Sequence, residues 1–552
     1  MQAATRTEDP ADLFLRLTQL NDVGVALSRE TDIARLLEAI LGAAKNITHA
    51  DGGTLYRVTD ERTLEFAILR NDTLGVAMGG TTGTPIPFYP IALYDHEGTP
   101  VTSMVAAYAV HHGKSVNIAD AYSQEGFDFS GTKSFDQKTG YRSRSFLTIP
   151  MKDHENAIIG VLQLLNAKDR ATGAVRAFSH ADLHLAESLA SQAAIALTNR
   201  LLINRLEALF ESFIRLINTA IDDKSPYTSG HCQRVPILTM LLADAVDACK
   251  VGPLRGFTMT DRDRHELRIA GLLHDCGKIT TPVHVVDKAT KLHTLFDRIE
   301  LIDTRFEIVK RDVELVLCRA RASGARDGNA GVLAALEIQS EGRLAEIDAD
   351  RAFLHHCNAG AESMRPDDQE RVRQISAKYR WRDANGNERP LLTDDEIENL
   401  TIPAGTLTRE ERRIINHHID VTIQMLEALP WPRHLTRVPE YAGGHHERMD
   451  GKGYPRGLTR EQMSLQARCM GIADIFEALT AADRPYKKGK TLSESLRILG
   501  KFKLNGHIDP DLFDVFMWQK VYLAYAAQCM DPGQIDAVDT SKIPGYVDPP
   551  AG

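Results

Sequence analysis

Cysteine is scarce and scattered in this chain: Cys232, Cys249, Cys276, Cys318, Cys357, Cys469 and Cys529 are its seven, and no two form a CxxC pair. An odd number of spread thiols argues against a disulfide framework and fits a reducing, cytoplasmic setting, with most of them buried and inert. No apolar run approaches the roughly 20 residues of a membrane helix. The opening MQAATRTEDPADLF has no apolar h-region, so no signal peptide is expected. Basic runs are missing too. Lys plus Arg total 65 against 75 Asp plus Glu, a net charge of −10. That balance speaks against wrapping a nucleic acid polymer or resting on an anionic membrane, but not against a small anionic substrate in a local positive pocket. Hydrophobic residues are 43% and charged residues 25%, so the chain is neither collagenous nor of low complexity. Its 552 residues suffice for roughly three to four domains, or fewer large ones.

What is present divides the chain. Leu15, Leu17, Leu20 and Val23, then Ile33, Leu36, Leu37 and Ile40, fall at helical spacing. From about 52 to 165, short β-rich runs such as GTLYRV and AIIGVLQLLN alternate with Gly and Asp turns. A helix returns at 180–198, which makes residues 15–184 an α+β domain. Over 185–221 the pattern steps by 3 and 4 without a Gly or Pro, through Leu185, Ser188, Gln192, Ile195, Asn199, Leu202, Leu206, Leu209, Phe213, Leu216 and Ala220. This reads as a parallel dimeric coiled coil with Asn199 fixing register; the alternative is one amphipathic helix packed on its own domain. Residues 222–530 read as all-α, interrupted by an insertion at about 293–405. The insertion opens with a helical seam, Ile299, Ile302, Phe306, Val309, Val313 and Val316, then turns polar and loop-rich and carries no recognisable chemistry. The tail, 531–552, holds four prolines and reads as loosely ordered.

Three segments carry chemistry. LLHDCGK places His274 and Asp275 side by side, with Lys278 following. GGHHERMDGKGYPRGL adds the consecutive His445 and His446, then Gly453, Tyr454 and Pro455. IADIFEALTAADRPYKK sets Asp474 and Glu477 three apart on one helix face, with Arg484 and Lys487 at its end. His231 and His418 stand apart, and His417 is a decoy beside the latter. Each is weak alone, since a lone histidine is more often a satisfied structural group. Together they exceed the ligand set of one tetrahedral zinc. Imidazole and carboxylate in this mixture suit two or three octahedral-type divalent ions, iron or manganese. Nearby cations suit a phosphodiester substrate.

HD, then HHExxDGxGYP, then the helix ending DRPYK resembles the signature of the HD-GYP phosphodiesterases, over about 220–292 and 406–525. The resemblance implies an all-helical, metal-dependent hydrolase of cyclic di-GMP, giving pGpG and GMP. It implies metal ligands at His231, His274, Asp275, His418, His445, His446 and Asp474, with His274, Asp275 and Lys278 at the reaction centre. Lys278, Arg484 and Lys487 would contact substrate phosphates, and Gly453, Tyr454 and Pro455 would form the loop that shapes the site and contacts diguanylate cyclases (GGDEF proteins). Asp222 stands where many members carry Glu, and Ser225 replaces the usual Asp of the DPYT segment. The insertion separates Asp275 from His418 far beyond the family's spacing and could cover the site. Two alternatives are a catalytically silent dinucleotide-binding scaffold and a hydrolase of another cyclic dinucleotide, such as cyclic GMP-AMP. VNIADAY, FDQKTGYRSRSFLTIPM and IIGVLQLLN resemble a GAF domain of the cyclic-nucleotide phosphodiesterase and cyclase type. Of that subfamily's NK…FxxxDE pattern the chain keeps Asn166, Phe178 and Asp182, with Ala167 and Leu183 in place of Lys and Glu. The resemblance implies a sensor with a small-molecule ligand of unknown kind, or a dimerisation module only.

Overall fold

The computed structural model describes residues 10–224, 230–327, 330–360, 363–482 and 489–550. It divides into two compact units, Met1–Phe210 and Glu211–Gly552. The first begins with helices α1 (Pro10–Arg29) and α2 (Ile33–Thr48), the second of them opened by the Asp32 carboxylate accepting from Arg35 N. The strands are β1 (Ala50–Val58), β2 (Thr63–Asn71), β3 (Val76–Gly79) and β4 (Ile91–Ala92), then β5 (Val116–Ile118), β6 (Phe146–Lys152), β7 (Ile158–Lys168) and β8 (Val175–Arg176). They form one antiparallel sheet in the order β3-β2-β1-β7-β6-β5, with β4 on β2 and β8 on β7. Helices α3 (Val105–His112) and α4 (Ser130–Thr139) lie between strands, and α5 (His180–Lys224) follows.

One core of this unit packs α1, α2 and the first turns of α5 with the sheet, through Leu20, Leu36, Ile40, Leu162, Leu189 and Ala193. Leu185, the first residue of the expected coiled-coil seam, is buried in this domain core, whereas Ser188 and Ile195 of the seam are exposed. Asn166 and Asp182 are buried props. Asn166 Oδ1 accepts from Arg144 N and Ser145 N, and Asp182 pairs with Arg16 and Arg176.

The second unit is nearly all helix: α6 (His231–Ala248), α7 (Asp261–Leu273), α8 (Val283–Val286), α9 (Ile299–Asp327), α10 (Ala330–Asn358), α11 (Pro366–Lys378), α12 (Asp394–Leu400), α13 (Arg409–Asn416), α14 (His418–Glu427), α15 (Val438–Gly443), α16 (Leu465–Thr480), α17 (Leu492–Leu504), α18 (Pro510–Trp518) and α19 (Val521–Cys529). The insertion corrects its reading as loop-rich. It holds the long helices α9 and α10, α11, a small hairpin of β9 (Arg380–Arg382) and β10 (Glu388–Pro390), and α12. These share their own core, including Phe306, Ile347, Leu354, Val372 and Tyr379. A helical hairpin can carry polar outer faces and still bury one stripe, so polar composition here misled. Capping boxes at Thr393/Glu396 and Thr408/Glu411 restart α12 and α13. The Glu411 carboxylate also accepts from the buried Lys288 Nζ at 2.7 Å, closing the insertion's base.

The tail is likewise not loose. Ile543 is buried, Gln534 Nε2 donates to Thr480 O and Lys490 O, Lys503 Nζ donates to Gly545 O, and Trp518 Nε1 donates to Val547 O. Among the described residues, no helix is long and apolar enough to cross a membrane.

Candidate functional site

The second unit brings the separated motifs together. Asp275 begins a short turn, Cys276–Thr280, immediately after α7 and His274. That turn lies directly on α14, where Gly277 N donates to Thr422 Oγ1 at 2.9 Å. A Cβ on Gly277 would collide with His418 O and Thr422 N, so only glycine permits the approach. This contact sets His418 beside Asp275 despite the insertion between them: His418 Nε2 lies 3.1 Å from Asp275 Oδ1. The C-terminal end of α15 delivers His445 and His446, α16 carries Asp474, and His231 opens α6.

Side-chain donors then converge. His231 Nε2 lies 3.1 Å from Asp275 Oδ2 and 3.3 Å from Asp474 Oδ1, and His274 Nε2 lies 3.2 Å from Asp275 Oδ2. Donor atoms of His418, His445 and His446 lie within 4.8 Å of one another, as do those of His231, His274 and Asp275, and those of His274, His445 and Asp474. Every expected metal ligand is in this cluster. Asp275 Oδ1, His418 Nε2 and His445 Nε2 are buried without a hydrogen-bond partner. Buried lone pairs facing one another are costly unless something electrophilic satisfies them. Four of the donors also stand in ligating form; His231 does not, because Asp275, Asp474 and Glu477 raise it well above its ordinary value against its burial. Against the cost of burial, Lys278 and His274 hold Asp275 well below the usual carboxylate range. His231, His445 and His446 do the same for Asp474 against its burial. Burial keeps His445 neutral far below its ordinary range and pushes His446 down to about 4. Ionised carboxylates and neutral imidazoles are what a divalent cation requires, so these residues can hold metal ions.

Around the cluster, Lys278 Nζ donates to Asp275 Oδ2 at 2.5 Å with its side chain partly exposed. The Tyr454 ring stacks on His446 with centroids 4.8 Å apart. Gly453 has no room for a Cβ, which would press on Glu447 Cα and Arg448 N. Glu447 pins the loop, its carboxylate accepting from Arg456 N at 2.8 Å and Leu458 N at 2.9 Å. Arg484 and Lys487 lie outside the described residues. Asp222 lies outside these donor groups, and burial raises its carboxyl above the usual carboxylate range.

The sequence reading missed one pair. Glu477, noted there only for its spacing, is buried, and its carboxylate meets His231 Nδ1 on one oxygen and Arg234 on the other. An i,i+3 step from Asp474 placed it on the right face, but nothing in the sequence joined it to α6.

Family models agree with this layout: a GAF domain matches residues 32–197, and HD domain models match 228–348 and 393–512. The chain thus carries a GAF domain followed by an HD domain. Three curated relatives are similar to parts of it. A cyclic di-GMP phosphodiesterase of Pseudomonas aeruginosa is 40% identical over 113 residues, 20% of this chain and 26% of its own length. A 3'3'-cGAMP-specific phosphodiesterase of Vibrio cholerae is 39% identical over 307 residues, 56% of this chain and 38% of its own. A cyclic di-GMP phosphodiesterase of Thermotoga maritima is 33% identical over 121 residues, 22% of this chain and 32% of its own. The matched stretches thus span well under half of each relative.

If the cluster is a metal centre, Asp275→Asn will carry metal near background while the wild type carries at least one equivalent. Elemental analysis of protein loaded with Mn²⁺ and desalted measures this. Equal metal in both would remove Asp275 from the ligand set.

Proposed function

We propose that the protein is a metal-dependent phosphodiesterase of cyclic di-GMP, hydrolysing its 3'-5' phosphodiester bond to pGpG, GMP or both under control of the GAF domain. The observation that carries this reading is the buried cluster of His231, His274, Asp275, His418, His445, His446 and Asp474 with Lys278 beside it. Two divalent ions, or three, of iron or manganese suit its nitrogen and oxygen donors. When bound, such ions supply Lewis-acid chemistry, polarising phosphoryl oxygens and making a water acidic. The chain's own groups do the rest. Asp275 and Asp474 supply ionised carboxylates to the cluster. Lys278, anchored on Asp275, has N–H groups left for an anionic phosphate oxygen. Arg484 and Lys487 supply further phosphate contacts. Gly453, Tyr454 and Pro455 wall the site, with Tyr454 held flat against His446. Water attack at phosphorus breaks the bond to the 3' oxygen, which takes up a proton as it leaves. The GYP loop is also the surface for diguanylate cyclase partners. A second reading, hydrolysis of cyclic GMP-AMP, is favoured by the long match to the Vibrio cholerae relative. A silent scaffold would not need so complete a donor set.

The GAF domain holds a half-open cavity of about 490 Å³ lined by Tyr56, Phe66, Phe129, Phe146 and Gln163 among others. Its polar groups are engaged internally: Tyr56 OH donates to Gln163 and Arg70 pairs with Glu38. A small, largely uncharged molecule is the regulatory ligand this lining suits. Signal passes through α5 as a homodimer. Its stripe of Ile195, Leu202, Leu206, Leu209, Phe213 and Leu216 is exposed, Leu206 by 64%, while Ala194, Leu197 and Ile214 on other faces are buried. Two copies in parallel would cover these stripes and pair Asn199 with its counterpart.

Metal-loaded protein incubated with cyclic di-GMP is expected to give pGpG or GMP by mass spectrometry, faster than it consumes cyclic GMP-AMP. No product from either would sink the reading, and preference for the latter would install the second. Arg484→Ala and Lys487→Ala should each weaken turnover by roughly 1.5–3 kcal/mol with metal content intact. Light scattering should show a dimer at micromolar concentration and a monomer for Leu206→Asp; a wild-type monomer would refute the interface.

A further inference from the structure

We propose that Glu477, clamped by Arg234, is the positioning residue that aims His231 into the metal cluster, a role that main-chain carbonyls fill for three neighbouring histidines. The inference rests on the reading of this cluster as a metal centre. His274, His418 and His445 share one device: the Nδ1 of each meets the carbonyl three residues earlier, at Gly271, Ile415 and Ala442. A carbonyl only accepts, so Nδ1 carries the proton and the Nε2 lone pair is left to face the cluster. His231 uses a different acceptor. It is the first residue of α6 and follows Gly230, whose φ is 87°. Its Nδ1 meets Glu477 Oε2 instead, while its Nε2 points to Asp275 and Asp474.

The geometry of the support is closed. Glu477 stands one turn beyond Asp474 on α16, and Arg234 one turn beyond His231 on α6. Arg234 donates through Nε to Glu477 Oε1 at 2.8 Å and lies 2.7 Å from it through Nη2. Only 1% of the Glu477 side chain is exposed. A carboxylate so buried is tolerated because the guanidinium compensates its charge. One helix therefore presents a ligand and the carboxylate that orients a second ligand, and the facing helix presents that second ligand with the cation that balances the carboxylate. A carboxylate acceptor also makes an imidazole a stronger donor than a carbonyl does, and such partners commonly govern metal affinity by 10–100-fold.

The test is calorimetric titration of the metal-stripped full chain with Mn²⁺. Glu477→Gln keeps the side chain's shape and is expected to bind Mn²⁺ about 10–100-fold more weakly, with the melting temperature of the metal-free protein unchanged. In a His231→Gln background the same substitution should cost no further affinity, because Glu477 acts through that imidazole. A plain structural tie between α6 and α16 would instead lower the metal-free melting temperature and weaken metal binding by the same factor with or without His231. That pattern, or full affinity in Glu477→Gln, overturns the proposal. Should Glu477→Gln fail to fold, Arg234→Gln in the same two backgrounds gives the same decision. A wild type that binds no Mn²⁺ would refute the metal centre itself, a different result from wild-type binding that Glu477 does not influence.

Discussion

The second unit is organised around one buried carboxylate. Asp275 touches His231, His274 and His418 and is held by Lys278. An ionised carboxylate this deep would be prohibitive alone, and removing one partner of such a buried network costs about 3–5 kcal/mol. The surrounding helices are therefore constrained to deliver cationic or metal-binding groups to it. α7 ends there, α6 begins there, and α14 is drawn in by the contact at Gly277. The stability of this centre and its chemistry have the same origin: donors that repel one another or lie unsatisfied without a cation become a ligand set with one.

The motifs made most of the cluster legible. Adjacent His274–Asp275 and His445–His446 and the Asp474 helix belong to a pattern with few structural uses, and all meet in space. His418 was legible only through resemblance, because its neighbour His417 is exposed and pairs with Asp420 instead. The support of His231 by Glu477 was not legible, since it is a contact between residues far apart in sequence. Local spacing tells which residues share a helix face, not which helix faces it.

The same limit explains the other corrections. The insertion's polar runs hide α10 and α11, whose buried residues Ile347, Leu354, Val372 and Ile375 are too sparse to dominate composition. The proline-bearing tail read as loosely ordered, yet it takes its order from α17 and α18 through Lys503, Trp518 and the burial of Ile543. On α5, Leu185 serves its own domain's core, while Ile195, Leu202 and Leu206 of the same stripe are exposed. Periodicity finds a stripe; it does not say whether neighbour, partner or solvent meets each part of it.

Anomalous diffraction from crystals grown with Mn²⁺ tests the central claim most directly. Peaks bounded by Asp275, Asp474 and the imidazoles of His231, His274, His418, His445 and His446 are the expected result. Crystals that take up the metal elsewhere and leave these side chains bonded to one another would contradict the account.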